Sequence, residues 1–109
     1  MRIVYKQVLI DAIQAENIVE VSFCKETTGA YVTRKVLPYD IFSQENKKAQ
    51  SMDEVLLGYT EAGFDHSAHV IKIYLKDINN VNVLPEKFDG SNLRRLINPK
   101  ESPNISRNW

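Results

Sequence analysis

The amino-acid sequence predicts a mainly β, α+β fold: an N-terminal helix, a five-stranded antiparallel sheet closed into a small SH3-like barrel, a short C-terminal helix and a tail. Three observations predict it. One long stripe of helical period stands at the start of the chain, short stretches of strand character follow at close spacing, and no helical stretch between them is long enough to carry a parallel crossover. At 109 residues, with 43 % apolar and 26 % charged side chains, the chain has the length and composition of one globular domain. We read residues 1–89 as that domain and residues 90–109 as a short helix followed by a basic, mobile tail.

Within Val4–Glu16, Tyr5, Val8, Leu9, Ala12 and Ile13 recur at i, i+3, i+4, i+7 and i+8, one apolar stripe along an amphipathic helix. Asn17 is placed to end that helix in a left-handed turn. From Ile18 to Lys25 the period becomes two, with Val19, Val21 and Phe23 alternating against Glu20, Ser22 and Cys24, the mark of a half-buried strand. Glu26-Thr27-Thr28-Gly29 reads as a turn with Gly29 at positive φ, which joins Ile18–Lys25 and Tyr31–Leu37 as an antiparallel hairpin. Tyr31–Phe42 is β-branched and aromatic. It predicts a long strand that stops pairing, or bends, at Pro38, because proline offers no N–H to a ladder.

Ser43–Asp53 is polar and without either period, so an exposed loop is expected there. Val55–Thr60 reads as a core strand in which Gly58 marks a sharp bend or a close backbone approach. A turn over Glu61–Ser67 leads to a strand over His69–Leu75, with Ile71 and Ile73 on its inner face. Lys76–Asn80 is a tight bend, and Val81–Leu84 is a closing strand stopped by Pro85. Bent strands in a meander favour closure into a barrel. Ser91 is the expected cap of a short helix carrying Leu93, Leu96 and Ile97 on one face and Arg94 and Arg95 on the other.

The 14 basic and 14 acidic residues are unevenly spread: residues 1–89 hold 10 against 13, a balance of −3, and residues 90–109 hold 4 against 1, a balance of +3. An acidic body does not attract nucleic acid over its whole surface, so any such binding is expected at a local patch or at the tail. Cys24 is the one cysteine, no apolar run is long enough to cross a bilayer and the N-terminus lacks a secretory pattern. A reducing, cytoplasmic setting without a membrane partner is expected. The chain has no phosphate-cradling glycine loop and no spaced carboxylate pair, so no enzyme and no cofactor are expected. Asp65-His66-Ser67-Ala68-His69 contains suggestive residue types, but two histidines and Cys24 fall short of a metal's ligand set, and consecutive residues cannot face one another as a triad.

The order helix, hairpin, then Arg34-Lys35-Val36-Leu37-Pro38-Tyr39-Asp40-Ile41 resembles the WYL domain of bacterial transcription regulators. Arg34, Val36, Pro38 and Ile41 match the family's second hairpin strand. Glu54-Val55-Leu56-Leu57-Gly58-Tyr59 is similar to its name-giving strand, retaining the Leu and the later Tyr but not the Trp or first Tyr. Ile71–Ile78 and Val81–Phe88 are similar in shape to the last two strands, with Ile71 and Asp77 standing where that family carries arginines. The resemblance spans about residues 8–88 and implies a small SH3-like or Sm-like barrel that senses a ligand or binds nucleic acid without catalysis. Such modules usually follow a winged helix-turn-helix; this chain is expected to act alone or on a partner. The loss of the two arginines puts a family-like anionic ligand in doubt.

Arg34 is the leading site residue, since a guanidinium fork on a rigid strand holds an anion bidentately; its plain alternative is a solvated residue paired with Glu20 across the hairpin. Lys35, Lys72 and Lys76 extend the candidate patch, or simply protect an edge strand. Tyr59 and Tyr74, with Phe64 in the intervening turn, are candidate stacking surfaces for bases, or else buried aromatics. The expected partner is a single-stranded nucleic acid or nucleotide-like ligand; the alternative is a protein partner or a homodimer docking on sheet edges and the tail.

Overall fold

The structure, a computed structural model, describes residues 3–25, 28–48, 50–63, 67–97, 104, 105 and 109. Its elements in order are α1 (Ile3–Ala15), β1 (Asn17–Cys24), β2 (Tyr31–Asn46), β3 (Ser51–Thr60), β4 (His69–Tyr74), a 3-10 turn (Leu75–Asp77), β5 (Ile78–Lys87) and α2 (Gly90–Ile97). All five strands form one antiparallel sheet in the order β4-β3-β2-β1-β5. The mainly β prediction holds, with the helix first and the short helix last.

The predicted closure does not occur. Among the described residues no ladder joins β4 to β5, so the sheet is rolled but open. The rolling is visible in the core, where Val21, Val36, Leu56, Ile73 and Ile78, one from each strand, gather in one buried cluster. α1 lies across the open side: Leu9, Ala12 and Ile13 enter that cluster, Tyr5 Oη donates to the Asn79 carbonyl at 2.7 Å, and Lys6 Nζ reaches Glu54 Oε1 at 2.7 Å. The helix thus reaches both β5 and β3, with its apolar stripe packed into the common core.

β2 holds the sheet together. Its first part, Tyr31–Val36, pairs with β1, and its second part, Leu37–Asn46, pairs with β3. Pro38 sits at the exchange, fully buried and opposite Gly58, with a register shift between Pro38 and Asp40 that accommodates a residue without an N–H. The strand bends there, as expected, and keeps pairing. Ser43–Asp53 is not the predicted loop: Gln44 pairs with Asp53 and Glu45 with Met52, so β2 and β3 run on as a hairpin arm beyond the core. With both faces of the arm largely solvated, the strands leave no apolar alternation in the sequence.

Three helix and strand ends also differ from expectation. α1 ends with Glu16, not Asn17, in the left-handed region at φ 57°; Asn17 opens β1, and its Nδ2 donates to the Leu84 carbonyl at 3.2 Å. Asp89, not Ser91, caps α2, its Oδ1 accepting from Ser91 N at 3.0 Å. β5 runs past Pro85 to Lys87, which is tolerable because β5 is an edge strand and its register to β1 is irregular there.

Candidate functional site

The sheet opens where β2 changes partners. The ladder to β3 ends at Leu37–Tyr59 while the ladder to β1 continues through Val36 to Tyr31, so β2 and β3 part company just where Thr33, Arg34 and Lys35 follow one another. These three residues line a cleft of about 280 Å³. Its opposite wall is the chain leaving β3, Thr60, Glu61, Ala62 and Gly63, and Glu86 of β5 lies at its side. Ile18 and Leu37, both buried, supply its apolar part.

Arg34 is half-buried, and its Nη1 donates to the Thr33 carbonyl at 3.4 Å. The register sets Glu20 opposite Lys35, not opposite Arg34, which faces Val21; adjacent strand residues point to opposite faces, so the predicted cross-hairpin partner belongs to Lys35. Lys35 Nζ lies 3.2 Å from Glu86 Oε1, with side chains 59 % and 54 % exposed. A pair so open to water contributes little and exchanges its partner readily. The cleft therefore offers Arg34 and Lys35 beside Glu61 and Glu86, a mixed lining in place of a wholly basic one.

A second cleft, about 340 Å³, adjoins the first and shares Ile18, Leu37, Glu61 and Ala62 with it. Tyr59 and Leu96 line one side of it over the buried Phe88 and Leu93, and Glu61, Lys87, Asp89 and Asn92 give the rest of its lining a polar character. α2 is held in place as a wall by Leu93, which packs with Ile18, Leu37 and Phe88, and by the Glu16 carboxylate, which accepts from Gly90 N at 2.7 Å. Leu96, one turn further along, is 56 % exposed.

The remaining predicted site residues are not brought to Arg34. Lys72, Tyr74 and Lys76 gather at the far half of β2: Lys72 Nζ sits 5.8 Å from the Phe42 ring centre, and Lys76 Nζ sits 5.4 Å from that of Tyr74. Lys76 also lies 3.7 Å from Asp53 Oδ2, and Gln44 Nε2 donates to Tyr74 Oη at 3.4 Å. Both lysines thus lie over aromatic rings of their own sheet. Tyr59 pairs with Val70 and Tyr74 with Val55, four rungs apart on one ladder, or about 13 Å at the usual strand rise. Tyr59 packs against the cluster of Ile18, Leu37, Phe88 and Leu93, and Tyr74 belongs to neither buried cluster, so the two form no common platform.

Sequence reasoning missed Glu61, Glu86 and Thr33, which carry no motif, and it did not connect Leu93 and Leu96 with Tyr59. Only the strand exchange at Pro38 brings them together. Phe64, Asp65 and His66 lie outside the described residues, and His69 Nδ1 is 2.6 Å from the Ser67 carbonyl. Among the described residues no group of three or more His, Cys, Asp or Glu is placed to hold a metal ion, and no helix is long and apolar enough to cross a membrane. Comparison with protein-family models, with curated proteins and with solved structures finds no match to this chain.

Proposed function

We propose that the chain is a non-enzymatic, cytoplasmic ligand-sensing module, transcription-related in setting, that holds a nucleotide-like anion or a short single-stranded nucleic acid at Arg34 and modulates a partner. One observation carries the reading: Arg34 and Lys35 line a cleft opened by the parting of β2 and β3. A half-buried guanidinium on a central strand loses little further freedom when it takes up an anion in fork geometry. The WYL resemblance, which rests in part on Arg34, supports the same reading. Glu61 and Glu86 on the same cleft repel a densely charged strand, so only a few phosphates engage. Labelled single-stranded oligonucleotides are expected to bind with a shallow salt dependence, about 0.7 log units per log unit of salt for each phosphate held. Arg34→Ala weakens that binding about tenfold, the worth of one charge-assisted contact. Binding that is absent at low salt, or indifferent to Arg34→Ala, contradicts the proposal.

A second reading is a protein-interaction or homo-oligomer module. The open edges of β4 and β5 favour it, because an unclosed sheet presents ladders that another chain can extend. It predicts a mass in solution at least twice that of the 12.5 kDa chain at micromolar concentration, or a stable complex with a defined protein; a strict monomer without such a complex contradicts it.

A further inference from the structure

Asn104, Ile105 and Trp109 are held on the body at two seats. At the first, the buried Asp40 carboxylate accepts from one group of its own strand, Ile41 N at 2.9 Å. Its other donors among the described residues are Asn104 N at 3.0 Å, Asn104 Nδ2 at 3.2 Å and Ile105 N at 3.0 Å. The second seat takes Trp109, whose indole Nε1 donates to the Ile13 carbonyl at 3.2 Å while its ring stands edge-on to Phe88 and packs against both buried clusters. That seat depends on glycine at position 90, since a Cβ there would meet the indole. We propose that Asp40 and the seat formed by Ile13, Phe88 and Gly90 together make a peptide-binding site, filled within one chain by its own tail and open to the tail of a second copy, so that each chain can supply Asn104, Ile105 and Trp109 to the other. This site involves neither Arg34 nor the free edges of the sheet.

The contacts are those by which one chain recognises another. Backbone N–H groups on a buried carboxylate form strong, charge-assisted bonds, and without the tail Asp40 keeps only Ile41 N among the described residues, so an empty site is costly and favours a replacement donor. Tryptophan brings a large apolar area with one polar end, the side chain that most often anchors an interface. Ile105 and Trp109 are half-buried where Leu9, Ile13 and Val36 are fully buried, so they lie against the core from outside it. The occupant follows from complementarity: the fit of this tail to this surface is present within one chain, and a second copy brings the same segment. Exchange keeps every contact and loses only the tether, which presents the chain's own tail at an effective concentration on the order of millimolar. Below that concentration chains close on themselves; where closure is blocked, exchange proceeds at lower concentration.

The test mixes two full-length variants that cannot close on themselves. Trp109→Ala keeps Asp40 and leaves the indole seat vacant; Asp40→Ala keeps Trp109, the one tryptophan, and lacks the acceptor. A tail that stays closed within its own chain binds its site at least about tenfold below the effective concentration, so sedimentation is expected to show a two-chain complex in the mixture at concentrations about tenfold lower than those at which the wild type dimerises. In the same mixture the emission of Trp109 in Asp40→Ala moves toward the blue as Trp109→Ala is added. A labelled synthetic peptide of residues 102–109 binds Trp109→Ala, and placing Asp40→Ala in that variant as well weakens the peptide about tenfold or more, the worth of the charge-assisted bonds. A mixture that stays monomeric with unchanged emission, or a peptide that binds equally with and without Asp40, overturns the proposal. The wild type supplies the check should either variant fail to fold: near-millimolar protein is expected to dimerise and excess peptide to return it to monomers, and a wild type that stays monomeric there, or a dimer that the peptide leaves intact, overturns the proposal as well. Oligonucleotide binding at Arg34 is read separately and stands or falls on its own.

Discussion

Gly58 shows how one atom fixes the path of this sheet. A Cβ at that position would run into Val36 Cγ1 and crowd the Leu37 carbonyl oxygen at 3.3 Å. Val36 is fully buried and β-branched, so it cannot turn aside cheaply. Gly58→Ala is therefore expected to cost about 1–3 kcal/mol, as overpacking of a core does. At the usual conversion of about 4–8 °C per kcal/mol for domains of this size, thermal melts resolve the loss. Val36→Ala in the same chain removes the opposing methyls and recovers part of it; additive losses in the double variant would contradict the assignment. The role of Gly58 is legible in the sequence, because a glycine inside a strand of Val and Leu has few other uses. Glu16 is not: its φ of 57° is unusual for a residue with a side chain, and what holds it there, Phe88 N at 2.9 Å on its carbonyl and Gly90 N at 2.7 Å on its carboxylate, comes from more than seventy positions away. Arg34 was legible as a residue of interest, but the identity of its neighbours was not.

At the scale of elements, the second half of β2 and the end of the chain are joined by a buried carboxylate. Asp40 is 7 % exposed and accepts from Ile41 N at 2.9 Å, from Asn104 N at 3.0 Å and from Ile105 N at 3.0 Å. Trp109 continues the attachment: its indole Nε1 donates to the Ile13 carbonyl at 3.2 Å, and its ring meets Phe88 edge-on with centres 5.4 Å apart. Gly90 leaves room for that ring, since a Cβ there would collide with the indole. These described tail residues lie on the body, where composition alone suggested mobility; two prolines and polar residues hide the fact that backbone N–H groups, which every sequence carries, are the contacts used. Asp40→Ala is expected to release residues 104 and 105 and loosen Trp109, the one tryptophan, so that its fluorescence shifts to the red and rises in accessibility to a neutral quencher. Asp40→Asn keeps an acceptor and shows a smaller change. An emission spectrum that is the same in the wild type and Asp40→Ala would contradict the clasp.

For the whole molecule, the arrangement follows from one strand serving two partners. β2 passes from β1 to β3 at Pro38 and leaves a cleft at the parting, beside which α2 walls a second one. The five antiparallel strands were legible from period-two alternation between Gly- and Pro-marked turns, and α1 from its stripe; the meander order was not, since β5 pairs with β1 and not with β4. Closure was not, because the apolar stripe of a helix and the edge of a missing ladder leave no distinct mark in the chain; nor was the splitting of the basic candidates into Arg34 and Lys35 on one side and Lys72 and Lys76 on the other, which depends on the register between β3 and β4. The most direct test of the central claim, that function resides in the Arg34 cleft, is an amide chemical-shift map of the full chain titrated with a short single-stranded oligonucleotide. The account predicts that the largest changes fall on Thr33–Lys35, Thr60–Gly63 and Glu86, and that they vanish in Arg34→Ala. Changes centred instead on Lys72, Tyr74 and Lys76, with the cleft silent, would contradict it.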